Sequence, residues 1–95
     1  MRLNNQLVEF FKQNIVGKIP GAKIYLFGSR TSDEAVGGDI DILIITKELV
    51  DKKTIRSIRI EFFKKFGWQK LDLVNFTEND NSAFKQIIQS YAIEL

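Results

Sequence analysis

A short apolar run, Ile24 to Phe27, ends abruptly in Gly28-Ser29, two residues that are suited to holding a phosphate. Glycine permits a tight turn, and such a turn lets backbone N–H groups face an anion, especially if a helix begins there. Considered alone, the pair is more often an ordinary turn between two elements. Arg30 follows it and fits two roles equally well, a contact to the phosphate or an ion pair at the surface.

Two aspartates, Asp39 and Asp41, stand at the head of a second apolar run. Side chains alternate between the two faces of a strand, so both carboxylates share one face while Ile40 and Ile42 point into the core. Two carboxylates on one face repel each other unless a cation lies between them, which favours a divalent metal. The alternative interpretation is a strand face that is simply solvated.

The combination of the two stretches is more informative than either one. A phosphate-binding turn beside a pair of carboxylates is the arrangement that the chemistry of a magnesium-bound nucleotide requires. Polar residues on an otherwise apolar strand, next to a glycine-rich loop, favour a functional role over a packing role. Asp33 and Glu34, in the segment between the two stretches, are interpreted as helix-start acids or solvated loop residues rather than as ligands.

The composition excludes several other chemistries. The chain of 95 residues has no cysteine and no histidine, which excludes disulfides, cysteine-bound zinc and a histidine general base. The formal net charge of +2 is nearly balanced, so no direct nucleic-acid partner is expected. No apolar stretch approaches a membrane span and no signal peptide is apparent, so we expect a cytoplasmic protein without a membrane partner. An apolar fraction of 44% predicts one packed domain over residues 1–95.

Apolar periodicity and helix start and stop residues predict the elements that position these side chains. The predicted elements are a helix over residues 2–17 ended by Gly17, a central strand over Lys23–Phe27, a strand over Ile40–Ile45, a helix from the N-cap Asp51 to Phe66 closed by Gly67, a strand within residues 68–76, and a helix over residues 82–95. The connection between the first two strands is residues 31–38.

The predicted helices carry more apolar residues than a small core needs. Ile60 and Phe63 widen the apolar stripe of the second helix, and the pair Phe10-Phe11 does the same in the first. The stripe expected for the last helix consists of Ala83, Ile87, Tyr91 and Leu95, with Phe84 and Ile88 beside it. These wide faces either wrap a small sheet or meet a partner protein.

A third acid, Asp72, stands between apolar residues in the predicted third strand. An unpaired buried carboxylate is costly, so a metal or a cationic partner is expected beside it. The alternative is an edge strand on which Asp72 faces water. Asp51 and Asp80 are poorer candidates for a site, because each stands where a helix begins.

Gly28-Ser29, nine intervening residues and then Asp39-Ile40-Asp41 resemble the signature of the polymerase-beta-like nucleotidyltransferase superfamily. In its short length and in the sequence Phe-Gly-Ser-Arg at residues 27–30, the chain resembles the minimal nucleotidyltransferase (MNT) branch of this superfamily. That branch includes the MntA-type antitoxins of HEPN/MNT toxin–antitoxin pairs. Many relatives have serine directly before the first aspartate, where this chain has Gly38. The resemblance implies an α+β fold of the polymerase-beta-like palm type, in which a small mixed sheet is packed with helices.

The resemblance also implies the site and the reaction. Gly28, Ser29 and Arg30 would bind the triphosphate of ATP, and Asp39, Asp41 and Asp72 would lie on neighbouring strands as catalytic and metal-binding residues. Asp39 and Asp41 would hold one Mg²⁺ and all three carboxylates a second, with Asp72 acting as general base or as a ligand of that second ion. AMP would pass to a hydroxyl and pyrophosphate would leave.

The resemblance further implies a partner. The acceptor would be a tyrosine of a helical HEPN ribonuclease toxin, and this protein would be its antitoxin. Two alternatives remain at this point. One is transfer to a small molecule of the antibiotic type, and the other is an antitoxin that neutralises its partner by binding without catalysis.

Overall fold

The computed structural model describes residues 5–28 and 39–95, which form an α+β fold as predicted. The elements in order are α1 (Asn5–Lys18), β1 (Lys23–Phe27), β2 (Ile40–Thr46), α2 (Lys52–Phe66), β3 (Leu71–Thr77), α3 (Ala83–Tyr91) and β4 (Ile93–Glu94). None of the helices in these two ranges is long and apolar enough to cross a membrane.

The four strands of the described residues form one mixed sheet in the order β3-β2-β1-β4. β1 pairs antiparallel with β2 and β4, whereas β2 and β3 are parallel and are connected by a crossover through α2. β1 and β2 are therefore central, which for β1 confirms the prediction made from the apolar residues on both of its faces. The end of β1 and the beginnings of β2 and β3 meet at one end of the sheet.

The main core lies between one face of the sheet and the helices α1 and α2. Ile40 and Ile42 are fully buried there, as predicted from strand alternation. Phe11 of α1 stacks on Phe62 of α2, with the ring centroids 5.6 Å apart. Phe10 is also buried, so the extra phenylalanines of α1 wrap the core rather than forming an outward face.

A second, smaller core lies on the opposite face of the sheet, under α3. Leu43 and Ile45 of β2 point to this side and pack with Ile88 of α3. Because side chains alternate along a strand, Asp41 shares this face with Leu43 and Ile45.

Local signals explain where α2 begins and ends. The side chain of Asp51 accepts a hydrogen bond from the backbone N–H of Lys53 at 2.9 Å, which satisfies a donor left free at the helix start. Gly67 ends the helix with φ 80°, and its N–H donates to the carbonyl oxygen of Phe63 at 2.9 Å. In α1 the prediction was wrong by one residue, because the helix continues through Gly17 to Lys18.

The prediction of a helix reaching residue 95 was wrong. α3 ends at Tyr91, and Ile93 pairs with Leu26 as part of the short strand β4. The N–H of Leu95 also donates to the carbonyl oxygen of Ile24 at 2.9 Å. The open edge of β1 offers backbone partners that a continued helix would leave unsatisfied, so the chain pairs with that edge.

The apolar residues predicted for the last helix divide between its buried side and its exposed side. Ile88 and Lys85 are the buried residues of α3. Phe84, Ile87 and Tyr91 are 59%, 60% and 47% exposed, and together they form an outward-facing surface that we call the α3 stripe.

Candidate active site

The structure brings together the three carboxylates singled out in the sequence. Asp41 and Asp72 are direct neighbours in the parallel ladder of β2 and β3, and their side chains are in hydrogen-bond contact. Asp39 precedes β2 by one residue and lies near enough for its charge to act on Asp41. The cluster lies at the end of the sheet where β1 finishes, because Phe27 is the cross-strand partner of Asp41.

The electrostatics of this cluster are unfavourable when no cation is bound. Partial burial raises the pKa of Asp41, and the hydrogen bond with Asp72 and the negative charges of Asp72 and Asp39 raise it further. The positive charge of Lys70 acts in the opposite direction, and the pKa of Asp41 comes to about 6. A bound cation would relieve this crowding of like charges.

Gly28 brings the end of β1 directly against the acidic cluster. Its φ of +78° lies in the left-handed region that favours glycine. A Cβ at this position would overlap Oδ2 of Asp41 and lie 3.0 Å from Cγ of the same residue. The backbone that leads into the predicted phosphate-binding turn therefore touches the predicted metal ligands. Ser29 and Arg30 lie outside the described residues, as do Asp33 and Glu34.

The chemistry of these residues fits a divalent metal bound by oxygen. Mg²⁺ prefers carboxylate ligands, and Asp39 and Asp72 are exposed on either side of the half-buried Asp41. In the described part of the chain, no three acidic side chains already form a cluster that would hold an ion. Oδ2 of Asp39 lies 3.8 Å from the ammonium of Lys70, so this carboxylate already has a cationic neighbour.

Asp72 lies beside Asp41, but the expectation that it is buried was wrong. β3 is the edge strand of the described sheet, and Asp72 is exposed on it. The alternative of an edge-strand acid therefore describes its solvent exposure, while its contact with Asp41 distinguishes it from an ordinary surface acid. This exposure leaves the carboxylate accessible to an incoming molecule.

The two acids judged to be poorer candidates have structural roles at helix starts. Asp51 caps α2. Asp80 accepts a hydrogen bond from the N–H of Ser82 at 2.7 Å, and the bonds with Ser82 lower the pKa of Asp80. Ser82 in turn caps α3 by accepting from the N–H of Lys85.

Sequence reasoning missed two lysines. Lys70 precedes β3 by one residue and is an ion-pair partner of Asp39. Lys70 could have been predicted only from the parallel register of β2 and β3, because this register places Lys70, before β3, beside Asp39, before β2. Lys85 is 6% exposed on α3, and its ammonium donates to the carbonyl oxygens of Glu78 and Asp80 at 3.0 and 3.1 Å. Through these two bonds, Lys85 ties the β3–α3 connection to the helix.

A fold of this kind with paired carboxylates beside a glycine turn defines a nucleotidyltransferase. The family model described as polymerase beta, nucleotidyltransferase matches residues 5–93. The chain belongs to this polymerase beta nucleotidyltransferase family. No curated protein matches the sequence at a significant level.

Several solved structures share the fold. A chain in the crystal structure of a tyrosine-to-alanine variant of the toxin–antitoxin MntA–HpeT superposes with a TM-score of 0.70 and 23% identity, covering 98% of this chain and 72% of that one. A chain in a variant of MntA–HpeT with two aspartates replaced by glutamate superposes with a TM-score of 0.68 and 20% identity. The match covers 97% of this chain and 71% of that one. A chain in the structure of a tri-AMPylated HEPN toxin of Shewanella oneidensis in complex with MNT antitoxin superposes with a TM-score of 0.63 and 21% identity. The match covers 95% of this chain and 66% of that one. At these identities the similarity confirms the polymerase-beta-like fold.

Proposed function

We propose that this protein transfers AMP from ATP to a tyrosine hydroxyl of a HEPN ribonuclease toxin and acts as the antitoxin of that toxin. The observation that carries the proposal is the contact between Asp41 and Asp72 on adjacent strands, directly against Gly28. Membership of the nucleotidyltransferase family supports the class of reaction. The toxin as acceptor is supported by similar structures, one of which contains an AMPylated HEPN toxin.

Each residue of the site has a distinct role in this proposal. Asp39 and Asp41, with Asp72, would hold magnesium, which when bound neutralises the triphosphate and favours departure of pyrophosphate. The turn at Gly28 and Ser29 would bind the β- and γ-phosphates through backbone N–H groups, with Arg30 as a further phosphate contact. The exposed carboxylate of Asp72 would accept the proton of the attacking hydroxyl.

The proposed reaction is a single displacement at the α-phosphate. A bond forms between the acceptor oxygen and the α-phosphorus, and the bond from that phosphorus to the bridging oxygen of the β-phosphate breaks. Pyrophosphate carries away the electron pair of the broken bond. Asp72 retains the proton until water removes it.

We also propose that the toxin binds to the α3 stripe. The stripe lies on the same face of the sheet as Asp41, and α3 leads into Ile93, which pairs with Leu26 next to the site end of β1. A helical protein packed on the stripe would therefore reach the acidic cluster. The apolar residues of α1 and α2 do not support this docking, since most of them are in the core.

The proposed function is tested by the intact mass of the partner. A HEPN toxin that has been purified separately, and is therefore unmodified, is incubated with this protein, ATP and Mg²⁺. We expect the toxin to gain one or more AMP units and to lose ribonuclease activity. A toxin that is silenced without any gain in mass would instead support neutralisation by binding alone.

Docking on the α3 stripe is tested by replacing Ile87 with aspartate. The buried charge would oppose an apolar interface, so we expect loss of the complex in size-exclusion chromatography while the melting temperature stays close to that of wild type. Ile60→Asp is the matched control, because Ile60 is 46% exposed on α2, on the opposite side of the sheet. A complex that survives Ile87→Asp would place the partner elsewhere.

A further inference from the structure

Among the described residues, Lys70 is a cation that the fold places beside the acidic cluster. It precedes β3 by one residue, as Asp39 precedes β2, and the two strands are parallel with Ile40 opposite Leu71. The N–H of Ile40 donates to the carbonyl oxygen of Lys70 at 3.0 Å. The backbone of Lys70 is therefore held next to the start of β2, within reach of Asp39.

The ion pair itself is weak. The ammonium of Lys70 lies 3.8 Å from Oδ2 of Asp39, and the two side chains are 60% and 51% exposed. Exposed pairs at such a distance contribute little stability, because water screens the attraction and ordering the side chains costs entropy. The ammonium of Lys70 therefore offsets the negative charge of Asp39 while the site stays open. A more highly charged ion can displace this ammonium.

We propose that Lys70 is an internal counter-ion that takes the place of the divalent metal in the metal-free protein and is displaced when the metal binds. Its ammonium lies 3.8 Å from Oδ2 of Asp39, and its positive charge also acts on Asp41. A metal that gathers the three carboxylates has to break the contact between Lys70 and Asp39. This inference rests on the proposed metal site, and it makes Lys70 a positioning residue.

The consequence is that removing this lysine improves the binding of metal. A unit positive charge a few ångströms from a divalent ion opposes its entry, and the opposing charge also holds one of the ligands. In Lys70→Gln we expect Mn²⁺, used as the spectroscopic substitute for Mg²⁺, to bind roughly three- to tenfold more tightly than in wild type. In the absence of metal, the same variant should melt lower by roughly 1–5 °C, since the carboxylates lose their counter-ion.

The experiment is a titration of Mn²⁺ followed by electron paramagnetic resonance of the free ion, together with melting curves of the metal-free proteins. Lys70→Arg keeps the charge and should bind Mn²⁺ like wild type. Lys12→Gln removes a charge from an exposed position of α1, on the opposite side of the sheet, and should change neither quantity. Asp41→Asn should bind Mn²⁺ much more weakly, which shows that the titration reports the acidic cluster.

The outcomes separate this inference from the proposed function. Tighter binding in Lys70→Gln, with wild-type binding in the two lysine controls, would establish Lys70 as the counter-ion. Unchanged or weaker Mn²⁺ binding in Lys70→Gln would overturn it, while binding in wild type that depends on Asp41 leaves the proposed function intact. If wild type itself does not bind Mn²⁺, the metal site fails, and the inference fails with it.

Discussion

Replacing Asp41 with asparagine is expected to lower AMP transfer by orders of magnitude while leaving the metal-free protein at least as stable as wild type. Asparagine keeps the shape of the side chain but removes a negative charge that the metal and the nucleotide need. In the folded protein, partial burial, the hydrogen bond with Asp72 and the charges of the two acidic neighbours together raise the pKa of Asp41 to about 6, and the same replacement removes the cost of ionising this group. Transfer is measured by the gain in mass of the partner, and stability by melting.

The stability difference should depend on pH in a defined direction. In the folded protein the pKa of Asp41 is raised to about 6, above its usual value of 3.8, chiefly because the carboxyl is partly buried. The stability that comes from protonation is therefore present below about pH 4 and is lost as the pH rises through 6. Asparagine does not ionise, so the stability of Asp41→Asn should rise relative to that of wild type as the pH increases from about 4 to 7. A pKa raised by this much would change the free energy of unfolding by about 3 kcal/mol if the carboxyl were fully buried. Because the carboxyl is only half-buried and water screens its charge, we expect roughly 1 kcal/mol.

Mg-ATP provides the complementary measurement on four proteins, namely wild type, Asp39→Asn, Asp41→Asn and Asp72→Asn. A ligand that binds only the folded state raises the melting temperature, so Mg-ATP should stabilise wild type and do much less for the variants. If the aspartates served instead as structural ion pairs, the variants would melt lower without metal and wild type would not respond to Mg-ATP. The two interpretations thus predict opposite changes in the same melting curves.

Replacing Gly28 with alanine is expected to abolish transfer almost as completely, although the substitution adds a single methyl group. The new Cβ would occupy the position of Oδ2 of Asp41, so the carboxylate would have to rotate away from Asp72. Because β1 and β2 are paired on both sides, the backbone has little room to move instead. We expect Mn²⁺ binding and AMP transfer to be lost together, measured by spectroscopic titration and by mass.

Gly67→Ala is the matched control for this prediction. Gly67 has φ +80°, nearly the same as Gly28, but a Cβ there would meet nothing within 4 Å. Both substitutions should therefore destabilise the fold by about 1–2 kcal/mol, the cost of a side chain in the left-handed region. Only Gly28→Ala should lose metal binding and transfer. Equal activity in the two variants would show that Gly28 serves the backbone turn alone.

The parts of the fold that the sequence predicts well are those governed by local chemistry. β1 has the predicted bounds, and α2 has its predicted cap at Asp51 and its predicted end at Gly67. Strand alternation alone placed Ile40 and Ile42 in the core. In each case the signal depends on neighbours in the chain, so no knowledge of the sheet order is needed.

The parts that sequence reasoning missed depend on contacts between distant segments. Nothing in the pattern of residues 82–95 shows that β1 has an open edge, and the last residues pair with that edge instead of extending α3. The exposure of Asp72 depends on β3 lying at the end of the strand order. Lys85 is buried because two carbonyl oxygens of the preceding turn surround its ammonium, which hydrophobic periodicity cannot indicate.

The parallel pairing of β2 with β3 also bears on when during folding the site comes into existence. Asp41 and Asp72 meet only after residues 47–70, which include α2, have closed a long loop between the two strands. Loop closure costs entropy before the new contacts repay it, so pairings between distant strands form late. A chain still emerging from the ribosome, with β1 and β2 present but β3 not yet docked, would have only part of its acidic cluster. For the proposed nucleotidyl transfer, this means that the reaction would begin only when folding is nearly complete.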